Sequence, residues 1–220
     1  MTGSSTGQRG RFISFEGPEG GGKTTQAQRL IARLQADGLE VLYTREPGGT
    51  PTGEVIRDLL QHNASGEPIS PGAEVLLFAA SRAQLVAHVI APALARGAWV
   101  VCDRFADSTT AYQGYGRGFD IEQMIAINAF AIADASPDLT LLLDVDLDEG
   151  FRRITDRHRE KDTPLDRIEQ EAREFHDRVR GGYLELAKRW PERFRKINGM
   201  RNPDDIEQEI WELICRECRG

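Results

Sequence analysis

Lysine is scarce in this chain: of 28 basic residues only Lys23, Lys161, Lys188 and Lys196 are lysines, and the rest are arginines. Arginine forks suit phosphate recognition, but a biased genome gives the same excess, so it carries little weight. A formal charge of −7 argues against a broad nucleic-acid surface, while leaving room for local basic clusters around a small anion. Cysteine is rare too. Cys102 stands alone, and Cys215 and Cys218 form one C-x-x-C pair. A lone pair lacks the second ligand pair of a zinc site and the strand–helix setting of a redox site. Without a disulfide framework, a reducing compartment, the cytoplasm, is expected. No uninterrupted apolar run approaches the ~20 residues of a membrane span, and the opening MTGSSTGQRG has no apolar signal region. Residues 1–10 read as a polar tail, with one domain over 11–220. Also absent are N-K-x-D and D-x-x-G, the guanine reader and γ-phosphate sensor of GTPase switches.

Short apolar runs alternate with helical patterns, which points to βαβ units around a parallel sheet. Strands are expected at 11–15, 39–44, 98–102, 139–145 and, less regularly, 194–197. The fully apolar LTLLLDV suits a strand covered on both faces. Helix one places Ala27, Leu30, Ile31 and Leu34 on one face and should end at Gly38. A second helix follows Thr52, and a third starts from Ser70 as N-cap with Pro71 at its first position, bent or interrupted at Pro92. Residues 121–133, apolar around most of the helix, are expected to be buried between other elements. Residues 165–190 read as one charged amphipathic helix weakened at Gly181-Gly182.

The first strand leads into G-P-E-G-G-G-K-T, which fits G-x-x-x-x-G-K-[ST] at Gly17, Gly22, Lys23 and Thr24. Glycines let the backbone N–H groups turn inward around a β-phosphate. Lys23 then bridges β- and γ-oxygens, Thr24 holds Mg²⁺, and the next helix aims its positive end at the anion. The predicted nucleotide-contacting run is Gly17, Pro18, Glu19, Gly20, Gly21, Gly22, Lys23, Thr24 and Thr25. The ligands so implied are ATP and Mg²⁺.

Outside this loop, three clusters sit at strand carboxyl ends or on one helix face. Asp103-Arg104 closes the third strand, where an acid serves Mg²⁺ or phosphates and an arginine grips a second anion; a surface turn is the plain alternative. R-E-P-G-G-T begins at Arg45, and a tight turn explains Pro47 but not the charged Arg45-Glu46. Phe78 and Arg82 lie four apart on one helix face. They could stack on a base and read its edge, although spacing alone favours the ordinary alternative, a core Phe beside a surface Arg.

F-E-G-P-E-G-G-G-K-T-T, T-R-E-P-G-G-T, E-V-L-L-F-A-A-S-R-A-Q, D-R-F-A-D-S-T-T-A-Y-Q-G and L-D-R-I-E together resemble the bacterial thymidylate kinases, from about Arg11 onward. The resemblance implies a three-layer α/β P-loop NTPase fold, with a five-stranded parallel sheet flanked by helices and a short lid at about 152–166. It implies transfer of the γ-phosphoryl of ATP to dTMP, with small-molecule partners only, in a homodimer; the apolar helices 75–95 and 121–133 could provide its surface, but would equally well be core. Glu19 would contact the acceptor's 3′-hydroxyl and lie near Mg²⁺, Arg104 would hold the acceptor phosphate, and Asp103 would orient the P-loop side. Phe78 would stack on thymine with Arg82 at its edge. Arg45 and Pro47 would line the pocket, with Thr109, Tyr112 and Gln113 facing base and sugar. With no basic residue among Pro18–Gly21, catalytic positive charge should come from the lid: Arg153, Arg157 and Arg159 are candidates, Arg157 preferred and Arg159 second. No general base is required, because a phosphate monoester with a second pKa of ~6 is already largely dianionic at neutral pH.

Overall fold

The computed structural model describes residues 9–62 and 64–219. All five expected runs are strands: β1 (Phe12–Glu16), β2 (Val41–Arg45), β3 (Trp99–Asp103), β4 (Leu139–Asp144) and β5 (Phe194–Asn198). They form one parallel sheet in the order β2-β3-β1-β4-β5. Phe12 pairs with Val100 on one side of β1, and Ile13 with Leu139 on the other. Position in the sheet explains composition. The three inner strands are buried almost throughout, whereas the edge strands β2 and β5 are only partly covered.

Strand alternation sends β1 to both faces. Ile13 and Phe15 join a core with Leu30 and Leu34 of α1 (Lys23–Ala36) and Ile206 and Ile210 of α9 (Pro203–Cys218). Phe12 faces the opposite way, into a core with Leu85, Ile90 and Phe105. Ser14 and Glu16 share that second face; Ser14 Oγ lies 3.0 Å from Thr140 Oγ1. α8 (Arg173–Arg189) closes this side with Val179, Tyr183 and Leu186.

α2 (Pro51–His62) follows β2, and α3 (Pro71–Leu85) starts as expected, Ser70 Oγ accepting from the Ala73 N–H at 3.3 Å. Pro92 does not end the helix. A π turn at Val86–Ile90 precedes α4 (Ala91–Ala95), and the wider turn accommodates a residue with no N–H to give. Joined, Pro71–Ala95 is long and apolar enough to cross a membrane by length and composition. Its buried Glu74 and Arg82 and its packing against β3 make it a core helix here.

Two helical expectations are corrected. α6 (Ile121–Ile132) is not buried all round: only Met124, Asn128 and Ala131 face inward, and Phe130 is 89% exposed. Among the described residues nothing covers its apolar outer face. Residues 165–190 are not one helix. Asp166 accepts the N–H groups of Ile168 and Glu169, a turn that competes with helix formation, so α8 begins only at Arg173. Gly181 and Gly182 lie inside α8 without breaking it. Gly182 is there for space, since a Cβ would stand 2.6 Å from the Tyr115 ring.

α5 (Ala106–Thr109) and a π turn at Thr110–Gly116 lead from β3 to α6. The expected lid is the second half of α7 (Leu147–Lys161) plus the loop after it. Most of the expected N-terminal tail, residues 1–8, lies outside the described residues. Its last two residues are tied down: Gly10 N–H donates to Leu94 O at 2.9 Å, and Arg9 pairs with Asp138 at 3.2 Å.

Candidate active site

A cleft of about 950 Å³ opens at the carboxyl ends of β1, β2 and β3, lined by the P-loop, the β2–α2 loop, α3, the π turn and the lid. The P-loop can close so tightly because two of its positions exclude a side chain. Gly17 has φ 136° and a Cβ would meet Leu143 O at 2.3 Å; Gly20 has φ 71° and would meet Gly150 O at 2.4 Å. Glu19 to Thr25 line the cleft, while Gly17 and Pro18 lie behind it and turn their carbonyls to Lys23 Nζ at 3.1 and 2.7 Å. Burial, followed by repulsion from Arg104, pushes the lysine pKa down to about 8, against the pull of Glu19 and Asp103. An arriving polyphosphate reverses that balance by giving the ammonium a partner.

Thr24 Oγ1 donates to the Asp103 carboxylate, which sets a hydroxyl and a carboxylate side by side at the mouth of the loop. Such a hard oxygen pair fits Mg²⁺, which binds through one or two protein oxygens plus phosphates and water. Glu19 is otherwise engaged. Its Oε1 accepts from Arg104 Nη2 at 2.6 Å and from the Tyr112 hydroxyl at 2.8 Å. Burial alone would raise its pKa, but the charges of Arg104 and Lys23 dominate and hold it at about 2. Among the described residues no cluster of three or more His, Cys, Asp or Glu side chains could hold a metal by itself.

Arg104 is the centre of the cleft floor. It occupies a left-handed backbone conformation, φ 68°, which a non-glycine residue adopts only when its surroundings enforce it. Its guanidinium reaches Gly17 O at 3.1 Å and lies 5.0 Å over the Tyr112 ring. Beneath it lies Glu16, which sequence reading missed because it looks like the last position of a strand. Glu16 is fully buried, accepts the Phe105 N–H at 2.8 Å, and takes hydroxyls from Ser108 at 2.7 Å and Tyr183 at 2.9 Å. Both hydroxyls also lie 3.3 Å from Arg104 Nη1. Burial, with the nearby Asp107 carboxylate, lifts Glu16 to about 7 even though Ser108 and Arg104 favour its charge. The alternation of β1 offered one clue, since it sets Glu16 on the face that carries α5 and α8.

The opposite half of the cleft is built on Arg82. It is 1% exposed, donates to Glu46 Oε2 at 2.9 and 2.6 Å, and also reaches Asn128 at 2.7 Å and Thr109 at 2.9 Å. Phe78 lies one turn before it and also lines the cleft. Gln113 sits nearby with its amide nitrogen 2.8 Å from Glu74. Arg45 pairs with Glu54 at 3.1 Å, and its Nη1 reaches Pro47 O at 3.2 Å. Arg57, on α2, donates to the same carbonyl at 2.9 Å and also lines the cleft. No motif pointed to Arg57.

The lid separates its arginines. Arg153 donates to Gly20 O at 3.2 Å and Gly199 O at 3.1 Å, beside the P-loop. Arg157 lines the cleft and is held by Glu169, which also accepts from His158 at 2.9 Å. Arg159 is 76% exposed, 3.7 Å from Asp156, and is not part of the lining.

A P-loop faces the buried Arg82 and the Phe78 ring across one cleft, and comparison with known proteins decides what this pairing is. The thymidylate kinase family model matches residues 15–210. The chain belongs to the thymidylate kinase family. It is therefore a nucleoside monophosphate kinase that phosphorylates dTMP. It is 52% identical over 193 residues to a thymidylate kinase of Pelotomaculum thermopropionicum, covering 88% of this chain and 87% of that one. With a Synechococcus thymidylate kinase it shares 48% over 203 residues, 92% and 93% of the two chains. The crystal structure of thymidylate kinase from Ehrlichia chaffeensis superposes with a TM-score of 0.73 at 34% identity, covering 94% of this chain and 99% of that one. In this thymidylate kinase the parallel sheet places the P-loop and the Arg82 side of the cleft at neighbouring strand ends, the usual ligand crevice of open α/β sheets.

Proposed function

We propose that the chain moves the γ-phosphoryl of ATP onto the phosphate of dTMP, giving dTDP and ADP, with Mg²⁺ as the metal. The observation that carries the division of labour is the Lys23–Glu19–Arg104 line across the cleft floor, with Arg104 bonded to Glu19 at 2.6 Å. Lys23 takes the donor's β- and γ-oxygens, with Gly20–Gly22 N–H groups and the start of α1 around them. Arg104 takes the acceptor phosphate, and its present partner Glu19 then turns to the acceptor sugar. Phe78 and Arg82 receive the base, Arg82 being held in place by Glu46 and Asn128. Arg45, Pro47, Thr109, Tyr112 and Gln113 complete that pocket.

Thr24 and Asp103 would hold Mg²⁺, which neutralises β- and γ-oxygen charge as the phosphoryl moves. The protein's task is to bring two polyanions together and exclude water. Arg157, already in the cleft wall, is the arginine that would swing onto the transferring group; Arg159 would need the lid to rearrange. An arginine in that role is worth ~10³–10⁵ in rate.

The proposal extends to a homodimer through α3 and α6, where Leu76 of α3 is 63% and Phe130 of α6 89% exposed. A cytoplasmic location agrees with three free cysteines, two of them buried. We read residues 11–220 as one domain with its lid at 152–166. Release of ADP, measured with each nucleoside monophosphate in turn, tests the reaction. Stimulation by dTMP alone is expected; stimulation by UMP or CMP instead would move the acceptor, and none by any would leave a slow ATPase.

A further inference from the structure

Glu74 lies in the first turn of α3, where an acid usually does no more than complement the helix dipole. Here it is 1% exposed and receives four N–H groups. Gln113 Nε2 reaches Oε1 at 2.8 Å, Arg117 reaches both oxygens at 2.6 and 3.1 Å, and Arg167 Nη2 reaches Oε2. A carboxylate only accepts, so the Gln113 group touching it is the NH₂. The amide is thereby oriented, and its carbonyl oxygen is the polar atom left for the cleft that Gln113 lines.

Arg167 belongs to the lid's returning limb. Besides Glu74 it holds α2: its Nε donates to Leu60 O at 2.8 Å and its N–H to Gln61 O at 3.2 Å. Two residues on, Glu169 grips Arg157 and His158, and the Asp166 side chain binds the Ile168 and Glu169 N–H groups, which ties 166–169 into one turn. Polar contacts thus run from Gln113 through Glu74 to Arg167, and the short backbone step from Arg167 to Glu169 carries the connection on to Arg157 in the cleft wall.

We propose that Glu74 is a positioning residue that couples recognition of the acceptor base by Gln113 to placement of the 166–169 turn, whose Glu169 holds Arg157 of α7. The proposal rests on the reading of the recess as the dTMP site. Seating a base against Gln113 fixes the carboxylate, and the fixed carboxylate holds Arg167 and the lid turn in place. Donor and acceptor then tighten one another's binding, and the coupling is reciprocal.

Titration calorimetry with AMP-PNP and Mg²⁺, with and without saturating dTMP, tests this. The wild-type chain, Glu74→Gln, Arg167→Met and the double variant are compared. In the wild type, dTMP should tighten AMP-PNP by about tenfold or more, within the usual range of coupling between sites. Arg167→Met cuts the chain at a side chain 26% exposed, away from both ligands. It should bring the factor close to one while leaving dTMP affinity in the absence of AMP-PNP within about twofold of wild type. Glu74→Gln should also abolish coupling and weaken dTMP, since the Gln113 amide loses its orientation, and the double variant should couple no worse than either single one. Unchanged coupling in Arg167→Met, no coupling in the wild type, or additive losses would each overturn the proposal. Should Glu74→Gln fail to fold, the Arg167→Met comparison decides alone. A wild-type chain that binds AMP-PNP but no dTMP would instead overturn the reading of the recess.

Discussion

Replacing Glu16 with glutamine should change how the stability of the protein depends on pH while leaving its fold intact. The carboxyl is fully buried, and burial together with the Asp107 carboxylate lifts it from an ordinary 4.5 to about 7. The native state therefore binds more protons than the unfolded chain between those two values. With more protons on the native side, stability must fall as pH rises through that window, and it levels off above about 7. Integrated from pH 5 to 8, a single group with these two pKa values removes about 2.5 kcal/mol. Glutamine imitates the protonated form: one amide oxygen can keep the Phe105 N–H, and the NH₂ can face the Ser108 and Tyr183 oxygens, both of which can accept. The variant should match wild type near pH 5 and exceed it increasingly toward pH 8. For a chain of this size the gap corresponds to roughly 5–10 °C in Tm. Urea unfolding of both proteins at four pH values, followed by tryptophan fluorescence, supplies the curves. Their difference isolates Glu16 from Glu46, whose pKa burial also raises, and from the Asp107–Arg193 pair, Lys23 and Arg104 around it. Parallel curves would refute the reasoning, because they would mean the buried carboxyl is ionised throughout.

Lys23→Ala should lower kcat by at least ~10²–10³, the effect of removing one preorganised positive donor, and a steady-state assay showing near-normal turnover sinks the donor-loop assignment. Arg157→Ala should cut kcat by about 10³ with little change in dTMP affinity; if Arg159→Ala carries that pattern instead, the lid closes by a different turn of α7. Phe130→Asp should turn a dimer into a monomer, because an apolar anchor worth about 2 kcal/mol of burial is replaced by a charge; sedimentation that is the same for both chains refutes α6 as the interface.

Much of the fold was legible because the signals are local. A run such as LTLLLD must be a strand covered on both faces, and β4 is. Ser70 and Pro71 announce the start of α3 by backbone chemistry alone. The P-loop is equally local, since its glycine spacing answers a steric need within a few residues. Failures came where a neighbour far along the chain decides. Nothing near α6 says whether its apolar face meets a core or the outside, and Gly182 needs no side chain only because Tyr115 packs there. Asp166 caps a turn that the charge pattern read as helix.

The sequence by itself determined the order of strands and helices, the phosphate loop and the motifs that identify a thymidylate kinase, because each depends on residues adjacent in the chain. Tertiary structure alone decided which charges meet. Glu16 and Tyr183 are separated by 167 positions and Glu74 and Arg167 by 93, yet the first pair shares a buried hydrogen bond and the second a part-buried one. Burial then sets their strength, since charges and dipoles removed from water act on one another far more strongly than on a surface. No one-dimensional pattern encodes that removal, which comes from packing α8 and the lid over the carboxyl ends of the sheet.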